Sequence, residues 1–280
     1  MTVAESWTCP TCGSATPARY CAQCGESRHD PRELTLRGLL LQLFQSVTSL
    51  DGKVLRSLRC LVTRPGALST AFVRGQRLSY VGPIPLFLLA NVAFFGFESL
   101  THLHILSSTL ASHMHDQDWS ALAQRLVQRR LERLGATLED FAALFDRAVV
   151  LHAKSLVVLM VVPFALLLPL VVRQRRPFAA HAVFALHLFA FLLLLLCAVL
   201  AVGALAARFG GSGLDSKPVD LVLSVLYLLA CARYLYIALG AFYGSTGLAR
   251  AFQTAVLSAS VAAIVLGYRF TLFLITLYTT

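Results

Sequence analysis

VVPFALLLPLVVRQRRPFAAHAVFALHLFAFLLLLL, Val161 to Leu196, holds two apolar runs parted only by Arg173-Gln174-Arg175-Arg176-Pro177-Phe178. Followed outward to about residues 149 and 207, each run reaches the roughly 20 residues an α-helix needs to cross the hydrocarbon core. A connector that short admits only a tight turn between antiparallel helices, and its three arginines mark a loop on the cytoplasmic side. The same reading finds further spans at about 82–103, 219–243 and 250–278, which makes five, with 149–172 and 180–207 as the central pair. Composition agrees: 57% hydrophobic against 14% charged residues lies outside soluble usage. The expected fold class is an all-α polytopic membrane protein with a small N-terminal domain that carries paired cysteines.

Placing the arginine hairpin inside also places residues 1–81 inside, where Arg64, Arg74 and Arg77 closely precede the first span. The segment after that span carries no Lys or Arg before Arg125. This asymmetry predicts an N-terminus in the cytoplasm and an external C-terminus in a cytoplasmic (inner) membrane. The opening MTVAESWTCP has no basic and apolar leader, so the N-terminus is expected to stay where it is made. Three units follow: a cytosolic ribbon over 1–30, basic amphipathic interfacial helices over 31–81, and a five-helix membrane domain over 82–280 with an external helical loop at 104–148.

In the middle unit, Leu36, Leu39, Leu40, Leu43, Val47, Leu50, Val54, Leu58 and Leu61 recur at three- and four-residue steps, with Arg37, Arg56 and Arg59 opposite. Such a helix is expected to meet anionic lipid headgroups. A break falls at Asp51-Gly52, with Asp51 as N-cap of the next helix, and Arg64-Pro65-Gly66 ends it. Arg74, Arg77 and Tyr80 then read as headgroup anchors. In the external loop, Asp118 can cap a helix through Leu122, Leu126 and Leu131. Thr137 with Asp140 resembles a capping box that opens the second span's helix.

Cys9-Pro10-Thr11-Cys12-Gly13 and Cys21-Ala22-Gln23-Cys24-Gly25 are paired Cys-x-x-Cys-Gly knuckles. Cys9, Cys12, Cys21 and Cys24 can share one tetrahedral ion, with each glycine turning backbone amides toward sulfur. Zinc as a structural cofactor is the leading reading; two disulfides, loose thiols and a rubredoxin-like iron are the alternatives, and a reducing cytosol disfavours the disulfides. Four protein ligands leave no open position, so the site is structural. Cys60, Cys197 and Cys231 read as buried small hydrophobes.

Charges within spans default to functional hypotheses. Arg233 lies deep in the fourth span and calls for a partner, with Asn91 the nearest polar candidate in depth, while Glu98 and Arg269 share the outer third of spans one and five and can pair. His181 and His187 fall about 240° apart on one helix, so they cannot both face one ligand. Outside, His102 and His104 with His113 and His115 would converge on a metal if extended and diverge if helical.

The order of these features resembles the bacterial family called domain of unknown function 3667. The residues that carry the resemblance are the two knuckles, Asp51, TRPG at 63–66, RGQRLSY at 74–80, Pro83 and Pro85, FLLAN at 87–91, HAVFALHLFAF at 181–191 and FYGSTG at 242–247. The resemblance implies a zinc-ribbon membrane protein of unknown activity and supplies no reaction. The family often has another histidine two residues after the position of His187, where this chain has Phe189.

No Gly-rich phosphate loop, Gly-x-Ser-x-Gly elbow or His-Glu-x-x-His occurs, so the expectation is a non-enzymatic protein. Its ribbon would dock or regulate, meeting a cytosolic protein through Arg19, Tyr20 and Arg28, too few basic residues for nucleic acid. The competing expectation is a transporter or lipid- and anion-handling protein built on Arg233, Asn91, His181 and His187.

Overall fold

The structure, a computed structural model, describes residues 6–28, 52–101, 105–174, 176–208 and 217–280. The first part of the amphipathic unit with its proposed cap Asp51, and the external His102 and His104, lie outside the described residues. Two short strands, β1 (Trp7–Thr8) and β2 (Ala15–Thr16), pair antiparallel in the ribbon. After them come α1 (Lys53–Thr63), α2 (Ala67–Val73), α3 (Pro83–Thr101), α4 (Leu110–His115), α5 (Ser120–Leu134) and α6 (Leu138–Leu156). A 3-10 turn (Val157–Met160) joins α6 to α7 (Val161–Val172), and α8 (Phe178–Arg208), α9 (Lys217–Ala238), a π-helical turn (Leu239–Tyr243) and α10 (Gly247–Thr279) complete the chain.

Five stretches are long and apolar enough to cross a membrane: Pro83–Thr101, Leu138–Val172, Phe178–Ala206, Leu221–Tyr243 and Gly247–Thr279. At 35 residues the second exceeds the roughly 20 that span a bilayer, so its first turns project beyond it. The α8 helix is the hub. It packs on α3 and α7, and Phe189 meets Phe164 of α7 edge-on at 5.8 Å between ring centroids. Arg173 ends α7 in the left-handed region (φ 52), which lets the chain reverse within the short basic connector.

At the ribbon end, α1 turns Ser57, Cys60 and Leu61 into the protein and leaves Arg56 and Arg59 exposed. The Ser57 hydroxyl donates to the Lys53 carbonyl (2.8 Å) and accepts from the Val81 amide (2.9 Å), tying α1 to the start of α3. The stretch after Gly66, within the unit expected to hold interfacial helices, forms the short helix α2, which faces the bundle. Its small residues let α2 press into the bundle, burying Leu68, Ser69, Ala71 and Phe72. Of the three anchors expected at the headgroups Arg74 stays exposed, while Tyr80 and Arg77 are half-buried and the Arg77 guanidinium lies over the Phe72 ring at 5.4 Å.

At the opposite end, α4, α5 and the first half of α6 form a cap. Thr137 accepts the Asp140 amide and donates to its carboxylate (2.7 Å), starting α6 as its capping pair implied. The helix assigned to Asp118 begins instead at Ser120, with Trp119 in the cap position and no side-chain cap. Trp119 is held by tertiary contacts, stacking edge-on with Phe270 (5.5 Å) and donating its indole N–H to His113 Nδ1 (3.3 Å). His113 itself is buried against Phe273, whereas His115 is exposed on the other face of the helical α4. Helical geometry thus parts these two histidines, and the metal pair that an extended chain would make does not form there.

Burial, and secondarily the Arg269 charge, lower the His113 pKa to about 4, so the folded protein keeps this imidazole neutral. Below pH 6.5 the unfolded chain takes up a proton that the folded one refuses, so the cap loses stability as pH falls from about 6.5 to 4 and no further. The loss is no more than about 3.5 kcal/mol. Amide exchange across α4 should rise over that window in wild type and show no such step in His113→Phe.

Candidate metal centre

The two knuckles are built alike. Cys9 donates its amide to the Ser14 carbonyl (2.9 Å) as Cys21 does to Glu26 (2.8 Å), and Gly13 donates to Cys9 (2.9 Å) as Gly25 does to Cys21 (2.8 Å). Thr8 pairs with Ala15 as Tyr20 bridges Ser27. Both glycines sit at positive φ, 77° and 76°, a conformation that side-chain-bearing residues resist and that lets each turn close under its sulfurs. The chain repeats one loop, and the repeats face each other.

All four Sγ atoms lie within 4.8 Å of one another, Cys9 with Cys24 at 3.4 Å and Cys12 with Cys21 at 3.5 Å. The thiols are free, not disulfide-bonded. A tetrahedron with metal–sulfur bonds of about 2.3 Å has edges near 3.8 Å, so the donor set fits a metal ion. The Ser14 hydroxyl stands 3.0 Å from the sulfurs of both Cys12 and Cys21. That hydroxyl, helped by the Cys24 amide, lowers Cys21 to about 6, making it a ready thiolate. The Glu26 amide pulls Cys24 down, but burial and the three neighbouring thiols outweigh it and push it up to about 12. Four thiolates cannot coexist here without a cation between them.

Glu26, the counterpart of Ser14 in the second knuckle, is a buried acid, 2% exposed. Its Oε2 accepts from the Thr11 hydroxyl (2.8 Å) and from the backbone amides of Arg77 (3.1 Å) and Leu78 (3.2 Å). Gln76 completes the contact by donating its side-chain amide to the Pro10 carbonyl (2.6 Å). One carboxylate therefore joins the cysteine loop to the segment that leads into α3. Sequence reading passed over Glu26, although an acid placed directly after a knuckle where the other has serine is a visible signal.

Behind this latch lies a second set of polar contacts. Ser69 of α2 hydrogen-bonds His187 Nδ1 of α8 at 2.9 Å, and Tyr243 of the π turn meets His181 Nδ1 at 2.7 Å with the rings stacked. The π turn frees backbone carbonyls, a common consequence of that geometry. The Phe242 carbonyl accepts from Arg176 (2.9 Å), the Tyr243 carbonyl from Gln174, and the Tyr236 carbonyl from Arg250. The basic connector thus clasps the end of α9 in addition to orienting the chain. Gly66, at φ 84, meets the same region: a Cβ there would lie 2.9 Å from the Ala238 carbonyl oxygen.

Residues 51–95 match the model of a family described as Protein of unknown function (DUF3667). The matched stretch takes in α1, α2, the 76–78 loop that receives Glu26, and α3 as far as Phe95. The resemblance drawn from TRPG, RGQRLSY and FLLAN therefore rests on the very segment that the ribbon grips. No curated protein and no solved structure matches the chain.

The remaining sequence candidates lie on several different helices. Arg233 is exposed on α9 and Asn91 is half-buried on α3; among the described residues no hydrogen bond joins them. Glu98 and Arg269, expected to pair, both reach the segment 105–108. Glu98 accepts the amides of Ile105 (2.9 Å) and Leu106 (3.3 Å), and Arg269 donates to the Ser108 hydroxyl (2.8 Å). His181 and His187 are each buried with a hydroxyl partner from a different element. Cys60 and Cys231 are buried, Cys197 half-buried.

Proposed function

We propose that this is a regulatory membrane protein in which a zinc-loaded ribbon on the cytoplasmic side controls the bundle by gripping the 76–78 loop. The observation that carries the reading is the single Glu26 carboxylate shared by Thr11 of the ribbon and the amides of Arg77 and Leu78. Zinc suits a closed four-thiolate set with no redox demand. Metal binding sets the shape of the ribbon, the ribbon sets Glu26, and Glu26 sets the entry into α3. The proposal gives the site no catalytic step, since four ligands fill the zinc tetrahedron. The chain sits in a cytoplasmic membrane with its C-terminus outside, and exposed Arg56 and Arg59 meet anionic headgroups there.

Glu26→Gln tests this. The amide keeps the shape but exchanges a charge-assisted acceptor for a neutral one, a loss of about 1.5–3 kcal/mol. Metal content should stay at the wild-type value while exchange at the Arg77 and Leu78 amides rises by about 10- to 100-fold, as it should in wild type after chelation. Unchanged protection of those amides in both the variant and the chelated protein would sink the regulatory reading.

A docking role for the ribbon has its own support. Tyr20 is 56% exposed with the Arg19 guanidinium 5.7 Å over its ring, a pairing of the residue types that anchor protein interfaces. Tyr20→Ala should remove a cross-link to a cytosolic partner without altering protection at 77–78. The transporter reading has less behind it, because Arg233, Asn91 and the two histidines do not share a site.

A further inference from the structure

The α9 helix is held to the bundle along one side. There the Phe191–Tyr234 ring stack, 4.1 Å between centroids, seals it against α8, and Cys231 and Leu235 are fully buried. On the other side Val222, Val225, Leu226, Leu229 and Tyr236 are between 42% and 60% exposed. Val222, Leu229 and Tyr236 follow one another at seven-residue steps, as do Leu226 and Arg233, so this side is one continuous stripe of the kind that packs a second helix. Arg233 stands within it and is exposed too.

Depth makes this arginine unusual. It lies ten residues before Tyr243, the ribbon end of the span, and twelve after Leu221. Those separations are about 15 and 18 Å of helix rise, which is mid-depth in a hydrocarbon core of about 30 Å. Helical side chains lean toward the helix N-terminus, here the far surface, which takes the guanidinium away from the nearer headgroups. Burial of Cys231, Tyr234 and Leu235 fixes the rotation of α9, so Arg233 cannot turn inward. Among the described residues no hydrogen bond, ion pair or ring contact reaches it. Lys154, also exposed, is eighteen residues before Val172, about 27 Å, and so lies near the opposite surface. A charge at the centre of the bilayer is costly, and such charges face a partner.

We infer that the outward stripe of α9 docks a membrane helix of a second protein, one that carries a carboxylate level with Arg233. A second copy of this chain does not fit. Two copies inserted the same way would pair α9 with α9 about a two-fold axis and set Arg233 against Arg233. Nor does another face of the chain offer the acid. Among the described residues Glu98 is buried on the Ile105 and Leu106 amides, and Asp220 and the acids of α6 stand toward the ends of their spans opposite the ribbon. A lipid phosphate stays at headgroup level, about 15 Å away. The carboxylate of an apolar helix reaches the guanidinium and neutralises it where water is absent. Tyr236 ends the stripe toward the ribbon, pinned by Arg250, whose guanidinium lies 3.8 Å over its ring. The surface is remote from the Glu26 latch and stands independently of it.

The test puts a photoreactive benzoylphenylalanine in place of Leu229. The full-length protein in phosphatidylcholine vesicles is irradiated with a synthetic polyleucine helix of about 20 residues that bears one central Glu, or with its Gln counterpart. The Glu helix should cross-link at about tenfold lower peptide fraction. Arg233→Leu, a change on an exposed position that leaves the packed side of α9 alone, should remove that difference. Arg233→Lys should keep it, and Arg233→Glu should transfer the preference to a helix with a central Lys. In native membranes the same position should cross-link to an apolar segment of another protein with Asp or Glu near its centre, and the adduct should vanish in Arg233→Leu. Equal capture of the Glu and Gln helices, a preference that survives Arg233→Leu, or a native adduct only to a second copy or to lipid would each overturn the assignment.

Discussion

Cys21→Ser should abolish metal binding by the four-cysteine cluster and unfold the ribbon while the helical bundle stays inserted. The ribbon has almost nothing else to hold it. Among its described residues only Cys9, Thr16, Cys21 and Glu26 are buried, and its two strands are two residues each. Against that small interior, zinc in the proposed site would contribute about 10–16 kcal/mol of binding free energy, which would make metal binding and ribbon folding one event. Losing the Cys21 sulfur opens the tetrahedron and leaves three ligands. Metal per chain should fall from one to none, and exchange at the Thr8–Ala15 and Tyr20–Ser27 pairings should become that of an open loop. Cys231→Ser, deep in the bundle, should leave the metal untouched. Full metal content in Cys21→Ser would mean that the four-cysteine cluster is not the binding site.

The second large effect is at Gly66. The residue needs a left-handed backbone, which costs a residue with a side chain about 1–2 kcal/mol. It also has no room: a Cβ would stand 2.9 Å from the Ala238 carbonyl oxygen, 3.0 Å from the Ala238 Cα and 3.1 Å from the Ala241 side chain. Two of those three atoms are backbone, so relief requires shifting α2 or the end of α9, an overpacking cost of about 1–3 kcal/mol. Gly66→Ala should therefore lose about 2–5 kcal/mol and unseat the Ser69–His187 contact. Two controls separate the causes. Gly244, at φ 68 with open space around it, isolates the backbone cost, and Gly96, with neither strain nor neighbours, should tolerate alanine. Thermal unfolding in detergent across the three variants should rank them Gly66, Gly244, Gly96. If Gly66→Ala matched Gly244→Ala, the close approach of α2 to α9 would be wrong.

Much of the site's logic is long-range. Ser69 and His187 are 118 residues apart, and Glu26 lies about 50 residues before the amides it binds. No periodicity reports such pairs. Trp119 shows the same limit on a smaller scale: local chemistry favoured Asp118 as the cap, but the indole's contacts with Phe270 and His113 set where α5 begins. Thr137 went the other way, because a capping pair is complete within four residues.

The sequence by itself determined the five membrane helices, the arginine hairpin that reverses the central pair, the cysteine set and the α6 cap. Each of these is forced locally: a bilayer demands unbroken apolar length, and a metal knuckle demands its ligands and glycine within a few residues. The tertiary structure alone decided that the 67–73 segment is a helix pressed into the bundle, that Glu26 ties the ribbon to the membrane domain, and that Arg233 faces outward. Those outcomes depend on which surfaces meet, and hydropathy reports only that a residue is apolar, not which neighbour it will touch.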